Sequence, residues 1–203
     1  MSTTRDLIVE TTCELLESQG FHATGLNQIV KESGAPKGSL YHYFPAGKDE
    51  IAEAAIARAG RTVAERITAV LTVSENAAEA VRSFVLWIAE RVEASGYASG
   101  GPLATVAMET ATTNERLNRA CRVAYSQLQG AFEAKLVQAG FGEAQARQLA
   151  TFITASIEGG TILCRTYHTG DPLRLVAEQL SQMIAVSTPA AAARRADDET
   201  SGV

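Results

Sequence analysis

The segment Lys37-Gly38-Ser39-Leu40-Tyr41-His42-Tyr43-Phe44 concentrates the side chains best suited to contact another molecule. Leu40 and Phe44 lie four apart and share one helical face, which leaves Lys37, Ser39, Tyr41, His42 and Tyr43 to point outward. Aromatic bodies with hydrogen-bonding tips, set beside a lysine, suit a nucleic-acid groove. Gly38 removes a side chain where backbone must come close to phosphate, and the start of a helix attracts an anion through its unpaired N–H groups. Between residues 36 and 48 there is no Asp or Glu, while Lys37, His42 and Lys48 are all present. On an arbitrary helix Tyr41 and Tyr43 would be packing residues. Their joint occurrence with Lys37, Gly38 and Lys48 is what favours DNA.

Other reactive side chains make poorer constellations. Cys13, Cys121 and Cys164 are odd in number, far apart, and fit neither a disulfide framework nor a zinc site. His22 and His168 have no partner at metal-ligand spacing. Cys164 and His168, four apart, can be drawn as a nucleophile and its base, but no phosphate-cradling glycine loop, paired histidines or nucleophile signature accompanies them. The expectation is therefore a protein that is not an enzyme and needs neither metal nor cofactor.

The elements that must position the 37–44 segment read as helices. Residues 5 to 18 carry Leu7, Ile8, Thr11, Leu15 and Leu16 at helical spacing, and Gly20 stops them. Gly25 to Glu32 is a short second helix with Leu26, Ile29 and Val30 on one stripe. Ser33-Gly34-Ala35-Pro36 makes a turn, and a third helix runs from Pro36 to Tyr43 until Pro45-Ala46-Gly47 ends it. A longer helix bracing two short ones across a Gly-containing turn is the parts list of a helix-turn-helix. Beyond it the pattern gives one long helix from Lys48 to Val73, then helices at about 77–95, 103–112, 114–139, 143–168 and 171–187. No strand alternation appears. The reading is all-α, with a DNA-binding domain over 1–48, a larger helical domain over 49–188, and a disordered tail over 189–203, where no apolar face remains.

Composition agrees with a folded chain: 203 residues, 46% hydrophobic and 20% charged. A net charge of -5 argues against coating nucleic acid by bulk attraction, so any DNA contact must be local. There is no apolar run of membrane-spanning length and no signal-peptide core at the N-terminus, so a cytoplasmic protein is expected.

Thr24, Ile29, Gly34, Lys37-Gly38-Ser39-Leu40-Tyr41, Phe44 and Lys48 together resemble the signature of the TetR family of transcriptional regulators over residues 5 to about 55. The resemblance implies that the third helix enters the major groove. Lys37 and Lys48 would then hold phosphates, and Ser39, Tyr41 and His42 would meet bases, with Tyr43 and Gly38 at the same surface. The family often has Ser or Thr where Gly25 caps the second helix, and neighbouring Thr24 is offered in its place. The spacing Phe44-Pro45-Ala46-Gly47-Lys48 is one residue longer than the commonest form. With Gly100-Gly101-Pro102 and Glu158-Gly159-Gly160, it is similar to the branch containing lincomycin-resistance-type repressors of multidrug efflux genes.

In the rest of the chain, Leu149, Phe152, Ile153, Ser156, Ile157, Gly160 and Leu163 recur at helical spacing, as do Leu173, Val176, Leu180, Met183 and Ile184. The resemblance implies that these two helices form a four-helix bundle with a second copy. A homodimer reads a palindromic double-stranded operator with recognition helices about 34 Å apart. Phe84, Trp87, Ile88, Arg91, Met108, Glu109, Tyr125, Phe132, Phe152 and Tyr167 describe the wall of a ligand chamber, and equally a core. The resemblance implies a small-molecule effector there whose binding moves the fourth helix and releases DNA, with repression as the family habit. A helix-turn-helix serving only protein contacts is the rival reading.

Overall fold

The structure, a computed structural model, describes residues 3–98 and 100–188, with the side chain of Pro102 left aside. Among these residues it forms nine helices and no strand: α1 (Thr4–Ala23), α2 (Leu26–Ser33), α3 (Lys37–Tyr43), α4 (Lys48–Leu71), α5 (Ala77–Ala94), α6 (Pro102–Thr110), α7 (Glu115–Gln138), α8 (Glu143–Tyr167) and α9 (Asp171–Ser187). The tail expected over 189–203 lies outside the described residues. No described helix is long and apolar enough to cross a membrane.

Local chemistry accounts for the boundaries. Thr3 and Asp6 form a reciprocal capping box at the start of α1, where each side chain takes the other's backbone N–H. Asn76 accepts from the N–H groups of Ala78 and Glu79 and opens α5. Gly34 closes α2 with φ 66°, a left-handed turn that a side chain resists, and Pro36 stands in extended conformation before α3. At Gly20 the backbone of α1 leaves the helix (φ 78°, ψ -177°), and a further helical turn carries it to Ala23. Sequence periodicity placed the stop correctly but did not anticipate this extra turn.

By its internal packing the chain divides into two compact units. One holds α1, α2, α3, α4 through Val63, α6 and α7 through Gln127. Its core gathers Ile8, Leu16, Ile29, Leu40, Phe44, Ile51 and Ile56, all essentially without solvent contact. Leu40 and Phe44 thus face inward as their spacing requires. The second unit holds α4 from Ala64, α5, α7 from Leu128, α8 and α9. Phe84, Val85, Phe132, Leu136, Ile153, Leu173, Leu180 and Ile184 are buried within it.

The expected dimer stripe is divided by this packing. Ile153, Gly160, Leu173, Leu180 and Ile184 are buried in the single chain, and a side chain at Gly160 would meet the Leu173 methyl at 2.8 Å. Gly160 therefore serves the approach of α8 to α9 inside one copy. Phe152, Ile162 and Leu163 stay 54%, 49% and 43% exposed.

Candidate nucleic-acid interface

The surface of the first unit is built from α3 outward. With Leu40 and Phe44 in the core, Lys37, Gly38, Tyr41, His42 and Tyr43 are exposed and Ser39 is half-buried. The two tyrosines keep 48% and 39% of their surface in solvent, which leaves their rings available to another molecule. His42 lies edge-on to Tyr43 with ring centroids 5.1 Å apart. A side chain at Gly38 would meet nothing within 4 Å, so internal packing does not require a glycine there. Arg5, which the sequence reading passed over, places its guanidinium 5.3 Å from the Phe44 ring and adds a positive charge beside the end of α3. No carboxylate forms an ion pair with Lys37, Arg5 or Lys48 among the described residues.

Lys48 opens α4 with its ammonium 4.2 Å from the centre of the Phe21 ring, so its stem is held against the end of α1. Partial burial lowers its pKa, while Asp49 and Glu109 act in the opposite sense. Thr24 is placed differently from its sequence neighbours. It is 1% exposed, and its hydroxyl donates to the Gly20 carbonyl at 2.6 Å, so it is part of the frame that holds α1 to α2.

That frame contains a contact with no counterpart in the sequence reading. The Glu109 carboxylate of α6 accepts the backbone N–H groups of Phe21 at 2.6 Å and His22 at 3.1 Å. A Cβ on Gly20 would lie inside this carboxylate. The only signal in the sequence was Gly20 itself, and nothing there identified residue 109 as its neighbour. Met108, next along α6, is 74% exposed, and Tyr125 of α7 is half-buried.

Of the other residues considered for ligand binding, Phe84, Trp87 and Arg91 come together on α5. Phe84 stacks on Trp87 at 5.8 Å and meets Phe132 edge-on at 5.7 Å, while the Arg91 guanidinium stands 5.0 Å from the Trp87 ring. Ile88 is half-buried. Phe152 and Tyr167 are exposed on α8. No group of three or more metal-type ligands occurs among the described residues. Burial raises the pKa of all three thiols, to about 11 for Cys13 and Cys121, which leaves them far from the reactive thiolate.

Among the described residues, helices alone and a buried frame behind an outward-facing third helix give the arrangement of a helix-turn-helix protein, and its relatives establish the class. Residues 8–55 match the model of the bacterial regulatory proteins of the tetR family, and residues 77–179 match that of the C-terminal domain of LmrA/YxaF-like transcriptional regulators. The HTH-type transcriptional regulator YxaF of Bacillus subtilis strain 168 is 41% identical over 180 residues, covering 89% of this chain and 94% of YxaF. The regulator LmrA of the same organism is 36% identical over 169 residues, covering 83% and 90%. The reduced form of NemR from E. coli has the same fold, with a TM-score of 0.80 at 22% identity over 92% of this chain and 100% of NemR. The chain belongs to the TetR family of transcriptional regulators, in its LmrA/YxaF-like branch. Members of these families are regulators and not enzymes.

Proposed function

We propose that this regulator is a homodimeric, ligand-responsive repressor of efflux or detoxification genes that releases a palindromic operator when a small, largely apolar molecule binds its helical C-terminal part. The observation that carries the DNA half of this reading is the exposed face of α3, with Lys37, Tyr41, His42 and Tyr43 outward and no carboxylate between residues 36 and 48. Lys37 and Lys48, with Arg5, hold phosphates. Ser39, Tyr41 and His42 meet base edges, and Tyr43 flanks them. Phosphate contacts set affinity and its salt dependence, while base contacts set sequence choice. Thr24 takes no part in the contact, because its hydroxyl is used internally.

The remainder of the reading rests on the branch to which the chain belongs and on the aromatic side chains of α5. Release requires that effector and operator favour different states of the dimer. Repression follows from occupancy, since a dimer seated on a promoter excludes polymerase. Titration of the full-length protein against DNA from upstream of its own gene, at two salt concentrations and beside an unrelated fragment of equal length, tests the DNA half. Saturable binding to the first fragment that weakens with salt is expected. Equal weak binding to both would favour a helix-turn-helix that serves protein contacts.

A further inference from the structure

Trp87 occupies an unusual electrostatic position within the second unit. Behind it lie the rings of Phe84 and Phe132, which are 2% and 1% exposed, whereas Trp87 is only half-buried. Two guanidinium groups stand on the indole, Arg66 from α4 at 5.1 Å and Arg91 from α5 at 5.0 Å. Both arginines are exposed, and neither forms an ion pair with any described residue. Elsewhere in the same unit Arg82 is held by Glu178 at 2.7 Å and Arg174 by Glu93 at 2.6 Å. The indole N–H is donated to no described residue, and no buried polar side-chain atom among those residues lacks a partner, so this N–H is open to the surface.

The cluster therefore presents donors without acceptors. A guanidinium has five N–H groups and no lone pair, and the indole N–H is likewise a donor only. Two cations sharing one ring repel each other, and the ring quadrupole offsets that repulsion only in part. An anion beside them offsets the repulsion and gains charge-assisted hydrogen bonds, bidentate where it meets a guanidinium fork. Arginine suits this role better than lysine would, because its planar and weakly hydrated head both stacks on aromatic groups and grips a carboxylate with two parallel donors.

We infer that Arg66, Trp87 and Arg91 form the recognition point for the anionic group of an aromatic effector, a carboxylate attached to a planar ring. This deepens the ligand-responsive reading above and rests on it. The apolar ring of the effector lies against the solvent-reached part of Trp87, and the two guanidiniums select for its charge.

Trp87 is the only tryptophan in the chain, so its emission reports on this site alone. The test uses the full-length protein, with calorimetry and tryptophan fluorescence against benzoate, 2-naphthoate and 9-anthracenecarboxylate, each beside its uncharged primary amide. At least one carboxylate should bind saturably, shift Trp87 emission, and bind about tenfold or more tightly than its amide, as loss of a charge-assisted pair implies. The double variant Arg66→Gln, Arg91→Gln should lose that preference while melting at the wild-type temperature. Binding by none of the carboxylates, equal binding by acid and amide, or a preference that survives in the double variant would each overturn the assignment.

DNA release separates this from the broader reading. An uncharged apolar compound that releases DNA from the double variant as well as from wild type would leave ligand-responsive repression standing and sink the anion site. Arginine-dependent binding of a carboxylate at Trp87 without any effect on DNA would keep the site and remove the repression-release reading.

Discussion

Thr24 has a hydroxyl that a DNA reader can use, and the fold uses it inside. Its donation to the Gly20 carbonyl, from a side chain 1% exposed, ties the irregular end of α1 to the start of α2. Thr24→Val should therefore lower stability by about 1 to 3 kcal/mol, the cost of leaving a buried carbonyl without its donor, and leave the salt dependence of DNA binding unchanged. Lys37→Ala should do the reverse, with little change in melting temperature and a salt slope lower by about two, one for each copy in the dimer. Thermal melts and operator titrations at several salt concentrations check both. The contrast also marks what the sequence could convey. Leu40 and Phe44 were legible as core because a four-residue repeat on a short helix fixes one inward face, and their neighbours were legible as surface for the same reason. Thr24 sits at a cap between two helices, where no periodicity applies, so its direction was decided by tertiary packing alone.

At the scale of elements, helix limits were easiest to read where a residue of special backbone freedom or restriction enforces them, as at Gly34 on the one hand and Pro36 and Pro45 on the other. Contacts between distant helices were not legible, because no local rule links residue 109 to residue 20. That contact carries a prediction. Glu109→Ala strips the acceptor from the N–H groups of Phe21 and His22, and should cost about 1 to 3 kcal/mol. It should also weaken operator binding without altering the salt slope, since α1 braces α3 while Glu109 touches no phosphate. Gly20→Ala should be at least as damaging, because φ 78° with ψ -177° is a conformation essentially confined to glycine, costing an L-residue about 1 to 3 kcal/mol, and the new methyl displaces the carboxylate. In the second unit, Glu93 joins the end of α5 to the α8–α9 turn through Arg174 and the Gly170 N–H. The Arg174 side-chain bond first, and the Gly170 backbone bond after it, lower the Glu93 pKa below its ordinary 4.5. A lowered carboxylate pKa stabilises the fold above the unfolded value and stops doing so as pH falls through the folded one. Melting temperatures of wild type and Glu93→Gln should thus differ at neutral pH, and the difference should shrink as pH falls from 4.5 through the lowered folded value. A difference that did not shrink as the pH was lowered below 4.5 would mean the charge on Glu93 is not what matters.

For the whole molecule, the question is which apolar side chains serve one copy and which serve two. The α8 sequence is apolar around much of its circumference, so a helical repeat alone could not separate Ile153 and Gly160, buried within one chain, from Phe152, Ile162 and Leu163, which the single chain leaves in solvent. Exposed large side chains at 152, 162 and 163, with Ala155 and Gly159 exposed between them, form a continuous strip along α8. Such a strip marks an association surface more often than a solvated one, and its small residues permit close helix approach. The proposed dimer places it there. Leu163→Glu should then convert the dimer to a folded monomer, read by light scattering after gel filtration, because the substitution adds a charge to the strip without disturbing the residues buried in the single chain. Ile153→Ala, one residue along from Phe152 but inward, should instead lower the melting temperature and leave the mass at that of a dimer, with a loss of about 2 to 5 kcal/mol. The monomer made by Leu163→Glu should still contact DNA through α3 with a salt slope about half that of wild type, since one recognition helix neutralises half the phosphates. If Leu163→Glu remained dimeric, the association surface would have to lie off this strip, and the spacing of the two recognition helices would be set by other residues.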